Sequence, residues 1–297
     1  MPRQHGYVVV AFQGEPGAYS EAAALSHAPG AEVLPCPSFD EVFQAVESGR
    51  AELGVLPIEN SIGGTIHRNY DLLREHELTI LGDLELEVVH SLLALPGVAI
   101  EQVRQIYSHP QALSQCDRFL RGLPGVEVVA TYDTAGSAKL LQDRQLTEAA
   151  AIASARAAEV FGLHVLMTGI QDFADNITRF LVVGRPDRHQ ADATTANKTT
   201  VVFSLPNEPG ALFKALSVFA LRGIDLTKLE SRPIPGRPWE YLFYVDLRAG
   251  AHDVTYNRAL AHLGEFAPMV RVLGSYPSSL SRRSAVAAPA LPAGDRA

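Results

Sequence analysis

Cysteine is nearly absent: Cys36 and Cys116 are the two in 297 residues, far apart and with no CxxC spacing. That excludes a disulfide framework and a thiolate zinc site, and it points to a reducing compartment, with the cytoplasm as the expected location. Basic charge is also short. Lys and Arg number 25 against 33 Asp and Glu, a formal net charge of −8, and no basic stripe is visible. A nucleic-acid partner is therefore not expected, although local basic sites for small anions remain open. Long apolar runs are missing too. The longest, around Val88 to Ile100, is interrupted by His90 and Pro96 and is too short for a bilayer. The opening "MPRQHGYVVVAFQGEPG" has one arginine before a very short apolar run, so no export signal is expected. No GxGxxG motif and no close cluster of carboxylates occurs, so neither a dinucleotide nor a metal nor any other cofactor is expected. Glu59, Asp133, Asp172 and Asp175 read as caps and turn formers.

What is present is an ordinary globular composition, 47% hydrophobic, long enough for about two domains. Short apolar runs alternate with helical patterns: "YVVVAF" then "GAYSEAAALSHA", "AEVLPC" then "FDEVFQAVESG", "ELGVLPI" then "GGTIHRNYDLLREH". Such alternation predicts βαβ units and a parallel sheet. It breaks at "LTILGDLELEVVHSLLAL", which is extended and without a helix, then resumes with "QIYS", "PQALSQCDRFLRG", "VEVVA", "TAGSAKLLQD", "AAAIA" and "SARAAEVFG". Two α/β lobes joined by extended crossovers would enclose a cleft at the carboxyl ends of their strands. The polar "GRPDRHQADATTANKT" reads as a linker. The order beyond it, strand, helix, strand, strand, helix, strand between 199 and 273, predicts a ferredoxin-like module. The tail from Ser278, rich in Ala, Ser and Pro, has little to bury.

Three strand-to-helix turns invite a ligand. In "QGEPGAYSEAA" Gly14 and Gly17 permit close backbone approach before a helix N-terminus, with Ser20 as either cap or ligand group. "VLPIENSIGGTIHRNYD" sets Glu59, Asn60, Ser61 and Thr65 at a strand end, and "IYSHPQALSQC" sets Ser108, His109 and Gln115 in the second lobe. Each also reads as a plain capped turn. Finally, "DNITRFLVVG" puts Thr178 and Arg179 at the mouth of an apolar strand. Hydroxyls, amides and backbone N–H groups dominate, and few strong acids accompany them. That set suits orientation and electrostatic stabilisation of an intrinsically facile reaction.

Taken in order, "FQGEPGAYSEAA", "LPIENSIGGTIHRNYDLL", "SHPQALSQC", "DTAGSAK" and "NITRF" resemble the catalytic domain of prephenate and arogenate dehydratases. "PNEPGALFKALSVFALRGIDLTKLESRP" resembles the ACT regulatory domain that these enzymes carry. The resemblance implies a two-lobed, periplasmic-binding-protein-like α/β catalytic domain over 7–185, a linker over 186–198, a ferredoxin-like ACT domain over 199–276 and a disordered tail over 277–297. It implies cofactor-free loss of water and CO2 from prephenate, giving phenylpyruvate. By resemblance Thr178 is the residue tied to activity, as proton donor or as hydrogen-bond donor. Arg179 would fork onto a substrate carboxylate or brace the strand end. Asn60, Ser108 and Gln115 match active-site positions, and Ala18, Tyr19, Ser20, Ser61, Thr65 and Thr134 are expected to bind substrate. Phenylalanine is the implied feedback effector, held at a subunit interface of a homodimer or homotetramer by Gly210, Ala211, Leu212, Glu230, Ser231, Arg232 and Pro233. Phe213 stands where many members carry valine. The readings in competition are an arogenate dehydratase and, from another class, an amino-acid-binding protein without catalysis.

Overall fold

The computed structural model describes residues 8–187, 194–234 and 236–278. Contacts divide the chain into one unit of 1–79 and 85–189 and another of 80–84 and 190–297. The expected linker falls partly, and the expected tail almost wholly, outside the described residues.

The first unit begins with β1 (Val9–Gln13), α1 (Tyr19–His27), β2 (Glu32–Cys36), α2 (Phe39–Glu47), β3 (Leu53–Asn60), β4 (Gly64–Thr65) and α3 (His67–Glu75). The chain then passes through β5 (Thr79–Glu87) into a second lobe: β6 (Ser91–Ala94), β7 (Gln105–Ser108), α4 (Pro110–Gln115), α5 (Asp117–Arg121), β8 (Glu127–Ala130), α6 (Thr134–Arg144), β9 (Ala149–Ala153), α7 (Ala155–Phe161) and β10 (His164–Thr168). It returns to the first lobe through β11 (Ile177–Gly184). One sheet runs in the order β2-β1-β3-β11, the other β10-β6-β9-β7-β8. The extended, helix-free stretch of the sequence is thus the crossover.

The sheets depart from all-parallel pairing where the chain changes lobes: β11 is antiparallel to β3, and β6 is antiparallel to β9 and β10. Parallel strands end at the cleft, so a segment arriving from the other lobe enters at the cleft end and runs back against them. The helix expected over "PQALSQCDRFLRG" is also broken in two. Asp172 N donates to Gln115 O at 2.7 Å, occupying a carbonyl that a continuous helix would need, and the Asp172 carboxylate accepts from Arg118 N at 3.1 Å, capping α5. Cys116, at φ −115° and ψ 24°, is the break.

The lobes are held by buried aliphatic and aromatic side chains on both sheets, among them Phe12, Phe43, Leu56 and Leu72 in the first and Leu93, Leu141 and Ile152 in the second. They are clamped together beside α1. Ser154 Oγ donates to Gly17 O at 2.7 Å, and Arg156 Nε donates to the buried Glu21 Oε2 at 2.7 Å. Gly17 has φ +88°, and a Cβ there would stand 2.7 Å from Ala157 Cα, so only glycine lets α7 approach this closely.

The second unit comprises β12 (Lys198–Ser204), α8 (Ala211–Ala220), β13 (Leu226–Ile234), β14 (Arg237–Leu247), α9 (Val254–Gly264) and β15 (Met269–Tyr276), with sheet order β13-β14-β12-β15. This is the expected βαββαβ order. Val201, Phe203, Val245 and Leu247 bury one sheet face against Val218, Phe219, Ala259 and Leu263 of the two helices.

Candidate functional site

Between the two lobes lies a cavity of about 400 Å3, within the range of small-ligand sites. Gln13 at the end of β1 and Asn60 at the end of β3 reach it from one lobe, and His109, Gln111, Gln115 and Thr134 reach it from the other. The strand ends that sequence alternation marked for searching do converge.

A β-bulge aims the first lobe's contribution. Thr178 pairs with Asn60 and Arg179 with Glu59, but Phe180 pairs with Pro57, leaving Ile58 as the extra residue. Asn60 and Pro57, three apart, therefore face the cavity together with Thr178 and Phe180. Arg179 is not in the wall, because the strand's period of two turns it to the opposite face. Of the two expected roles, a brace at the strand end is compatible with its pairing position opposite Glu59.

The cavity floor is a chain of side-chain amides whose polarity follows from the backbone. Ile62 N and Gly63 N donate to Asn60 Oδ1 at 3.1 and 2.7 Å, and a backbone N–H can do nothing but donate. Asn60 Nδ2 must then face the other way, donating to Asn176 Oδ1 at 2.7 Å and to Thr178 Oγ1 at 3.0 Å. Asn176 Nδ2 donates to Gln115 Oε1 at 3.0 Å, and Gln115 Nε2 donates back to Asn60 Oδ1 at 3.3 Å. Thr178 Oγ1 thus accepts a hydrogen bond, and no acceptor among the described residues takes its proton. The hydroxyl is left as a donor at the cavity wall.

Other expected residues separate into wall and support. Tyr19, Ser20 and Thr134 line the cavity. Ala18 is the N-cap of α1, and Thr65 lies in β4; neither is in the wall. Ser61 Oγ donates to Asp175 O at 2.7 Å and accepts from Ile177 N, tying β11 to the turn after β3. Ser108 is fully buried, and its hydroxyl donates to Ile152 O at 2.6 Å. A serine of that kind braces two strands, and it is not in the cavity wall. Residues that sequence reasoning missed are His90, Asn176, Gln13, Phe39, Gln111 and Tyr132. A histidine inside an apolar extended run was the one available signal for His90.

No Lys or Arg lies in the wall, and Asp133 is its one carboxylate. Positive potential comes instead from helix N-termini: Ser20 lies in the first turn of the nine-residue α1 and Thr134 opens the eleven-residue α6. Their first-turn N–H groups have no intrahelical acceptor and suit an anion. Among the described residues no three His, Cys, Asp or Glu side chains are grouped to hold a metal. Burial and Asp172 push the Cys116 thiol up to about 12, so it stays protonated and is no nucleophile.

Residues 10–188 match the prephenate dehydratase family and residues 199–255 the ACT domain. A curated relative in Arabidopsis thaliana, arogenate dehydratase/prephenate dehydratase 2, chloroplastic, is 50% identical over 279 residues, covering 91% of this chain and 73% of its own. The chain belongs to the prephenate dehydratase family. It is a dehydratase, a carbon–oxygen lyase, with a C-terminal ACT domain. Solved structures agree on the fold. Prephenate dehydratase from Arthrobacter aurescens in complex with L-Phe superposes with a TM-score of 0.82 at 35% identity, covering 91% of this chain and 90% of that one. A protein described as GqqA, a novel type of quorum quenching acylase, superposes at 0.84 with 37% identity, covering 93% and 100%.

One expectation is overturned by these relatives. The Arabidopsis dehydratase above and others from that plant are named chloroplastic, which goes against the expected cytoplasm. Free buried cysteines report reducing conditions, and those do not distinguish one reducing compartment from another.

In the ACT domain of this dehydratase, Gly210 is the N-cap of α8 with φ +82°, followed by Ala211 and Leu212 in the first turn. Glu230, Ser231, Arg232 and Pro233 lie on the edge strand β13, whose residues alternate between half-buried and exposed, with Ser231 and Pro233 outward. Phe213 is 75% exposed, and Leu229 of the same strand is exposed as well.

Proposed function

We propose that the cavity binds prephenate and releases phenylpyruvate, CO2 and water. The ring carboxylate leaves as CO2, its bonding pair completes the aromatic ring, and the ring C–O bond breaks as hydroxide departs. Aromatisation drives the step, so the protein holds the dianion and assists the leaving hydroxide. The observation that carries this reading is the Thr178 hydroxyl, turned donor by Asn60. A hydrogen bond from it strengthens as negative charge grows on the departing oxygen, and its proton can pass over as the bond breaks. The first turns of α1 and α6 hold the carboxylates. Asn60 and Gln115 orient the reacting groups, and Ala18, Ser61, Thr65, Ser108 and Arg179 support the walls from behind. No cofactor is needed for this chemistry.

Arogenate is the second reading. It differs from prephenate in carrying an ammonium where prephenate has a keto group, and the single carboxylate in the wall, Asp133, favours that charge. Initial rates of the purified protein on both substrates decide between them. Asp133→Asn lowers kcat/KM for arogenate about tenfold while leaving that for prephenate within about twofold, if the ammonium docks there. Equal losses on both substrates remove Asp133 from substrate choice, and no turnover of either defeats the catalytic reading in favour of a binding protein.

Feedback by phenylalanine is read the same way. The effector's carboxylate docks at the α8 N-terminus and its ammonium meets Glu230. Among the described residues β13 is the outer strand of its sheet, and Leu229 on it and Phe213 on α8 are exposed; such an edge suits pairing with a second copy, so the enzyme acts as a dimer or tetramer. Light scattering with and without phenylalanine measures this directly.

A further inference from the structure

The amide chain of the cavity floor does not end at Gln115. His90 is buried, and its Nε2 lies 2.9 Å from Gln115 Oε1, while its Nδ1 lies 3.1 Å from Tyr19 Oη. The polarity that begins at Ile62 N and Gly63 N presents an acceptor, Gln115 Oε1, to this ring. The ring nitrogen facing it must therefore be a donor. We propose that His90 is a positioning residue of the dehydratase: as the Nε2–H tautomer it locks the Gln115 amide, and through Gln115 and Asn60 it keeps the Thr178 hydroxyl aimed at the leaving group. This deepens the proposed reaction and rests on it.

Burial sets the protonation of the ring and of its tyrosine neighbour. Burial holds the imidazole below its ordinary pKa, so the ring carries one proton and not two. Burial also raises the Tyr19 phenol far above its usual range, so it stays protonated; its one proton is donated to Val89 O at 2.7 Å, and Nδ1, at 3.1 Å from the same oxygen, takes at most a bifurcated share of it. The Nε2 side decides the tautomer, because Gln115 Oε1 faces it as an acceptor at 2.9 Å while the contact of Nδ1 with Tyr19 Oη is the longer one at 3.1 Å. If Nδ1 carried the proton instead, a lone pair would face Gln115 Oε1. The Gln115 amide would then turn over, presenting an oxygen to Asn60 Oδ1 and a donor to Asn176 Nδ2. Two repulsive contacts would sit behind Thr178.

The ring can be exchanged without disturbing its segment, because the local backbone bonds do not use it. His90 N donates to Gln171 Oε1 at 3.0 Å, and Gly169 N and Ile170 N both donate to His90 O. Glutamine places an amide nitrogen the same number of bonds from Cβ as Nε2, so His90→Gln keeps the donor, whereas His90→Leu fills the space without one. The expected result is a fall in kcat of about 30-fold for His90→Leu with KM moved less than about threefold, and recovery to within about fivefold of wild type for His90→Gln. In a Thr178→Ala background His90→Leu should cost less than about threefold more, because the group it positions is already gone. A full multiplicative loss in the double variant, or no rescue by glutamine when both single variants are folded by circular dichroism, overturns the proposal. A readout independent of turnover comes from long-range 1H–15N correlation on histidine-labelled protein. The ring signals that vanish in His90→Gln identify His90 among the 10 histidines, and they should report Nε2–H. An Nδ1–H pattern with turnover intact defeats the positioning role alone, whereas absence of turnover of both prephenate and arogenate by wild type defeats the reaction beneath it.

Discussion

Thr178→Ala lowers kcat by about 100-fold and moves KM little. The substitution removes one hydroxyl that already accepts a hydrogen bond from Asn60 Nδ2 at 3.0 Å and has its proton to give at the cavity wall. In the ground state the departing oxygen is a neutral hydroxyl and gains little from that proton. As the C–O bond breaks it becomes an oxyanion, and the same hydrogen bond becomes charge-assisted. A contact that strengthens only toward the transition state appears in kcat, and loss of one such donor costs on the order of 100-fold or more. Thr178→Ser, which keeps the hydroxyl, should recover most of the rate. The assay is phenylpyruvate formation from prephenate under saturating and limiting substrate. Near wild-type kcat in the alanine variant would reduce Thr178 to a strand-end residue, and the leaving group would then need another donor from the wall.

Phenylalanine inhibition should be lost in Gly210→Val, with the half-inhibiting concentration raised by more than about tenfold. No atom lies within 4 Å of where a Cβ would stand at Gly210, so valine does not clash there. The damage comes from φ +82°, a conformation that a β-branched residue does not hold. The backbone at the start of α8 must shift, and the N–H groups offered to a carboxylate shift with it. A ligand acts only through its differential affinity for two states, so weaker docking weakens inhibition by the same free energy. Ser231→Ala, on the neighbouring edge strand, tests the same site without touching the helix. Initial rates against phenylalanine are the measurement, with the uninhibited rate of each variant determined alongside. Undiminished inhibition in both variants would place the effector elsewhere. No response in wild type would mean that another amino acid is the effector, with exposed Phe213 the first place to look.

The legibility of the site in the sequence was uneven for a physical reason. Thr178, Asn60 and Gln115 stand in motifs at strand ends or helix starts, where alternation of apolar runs already says the chain turns toward a cleft. Their places in the wall were therefore accessible before any coordinates. Ser108 shared that setting, yet its hydroxyl turns inward to Ile152 O. Nothing local decides which way a strand-end serine faces, because the answer depends on the neighbouring strand β9. Arg179 follows the same rule one residue beyond Thr178. His90 and Asn176 were not legible: each takes its meaning from Gln115, which lies 25 and 61 positions away, respectively.

By itself the sequence determined the two α/β lobes, the extended crossover, the βαββαβ module and the family, because these follow from hydrophobic period, turn residues and ordered motifs, which are local properties of the chain. It determined the chemical character of the site as well, since hydroxyls and amides outnumber acids in every ligand-ready turn. Only the tertiary structure decided which of those groups meet. The one-residue bulge at Ile58 puts Asn60 and Pro57 on the same face. Two backbone N–H groups then set the polarity of an amide chain reaching from Asn60 to His90 and turn Thr178 into a donor. Hydrogen-bond direction propagates through contacts between residues distant in sequence, and only the folded chain brings those contacts into being.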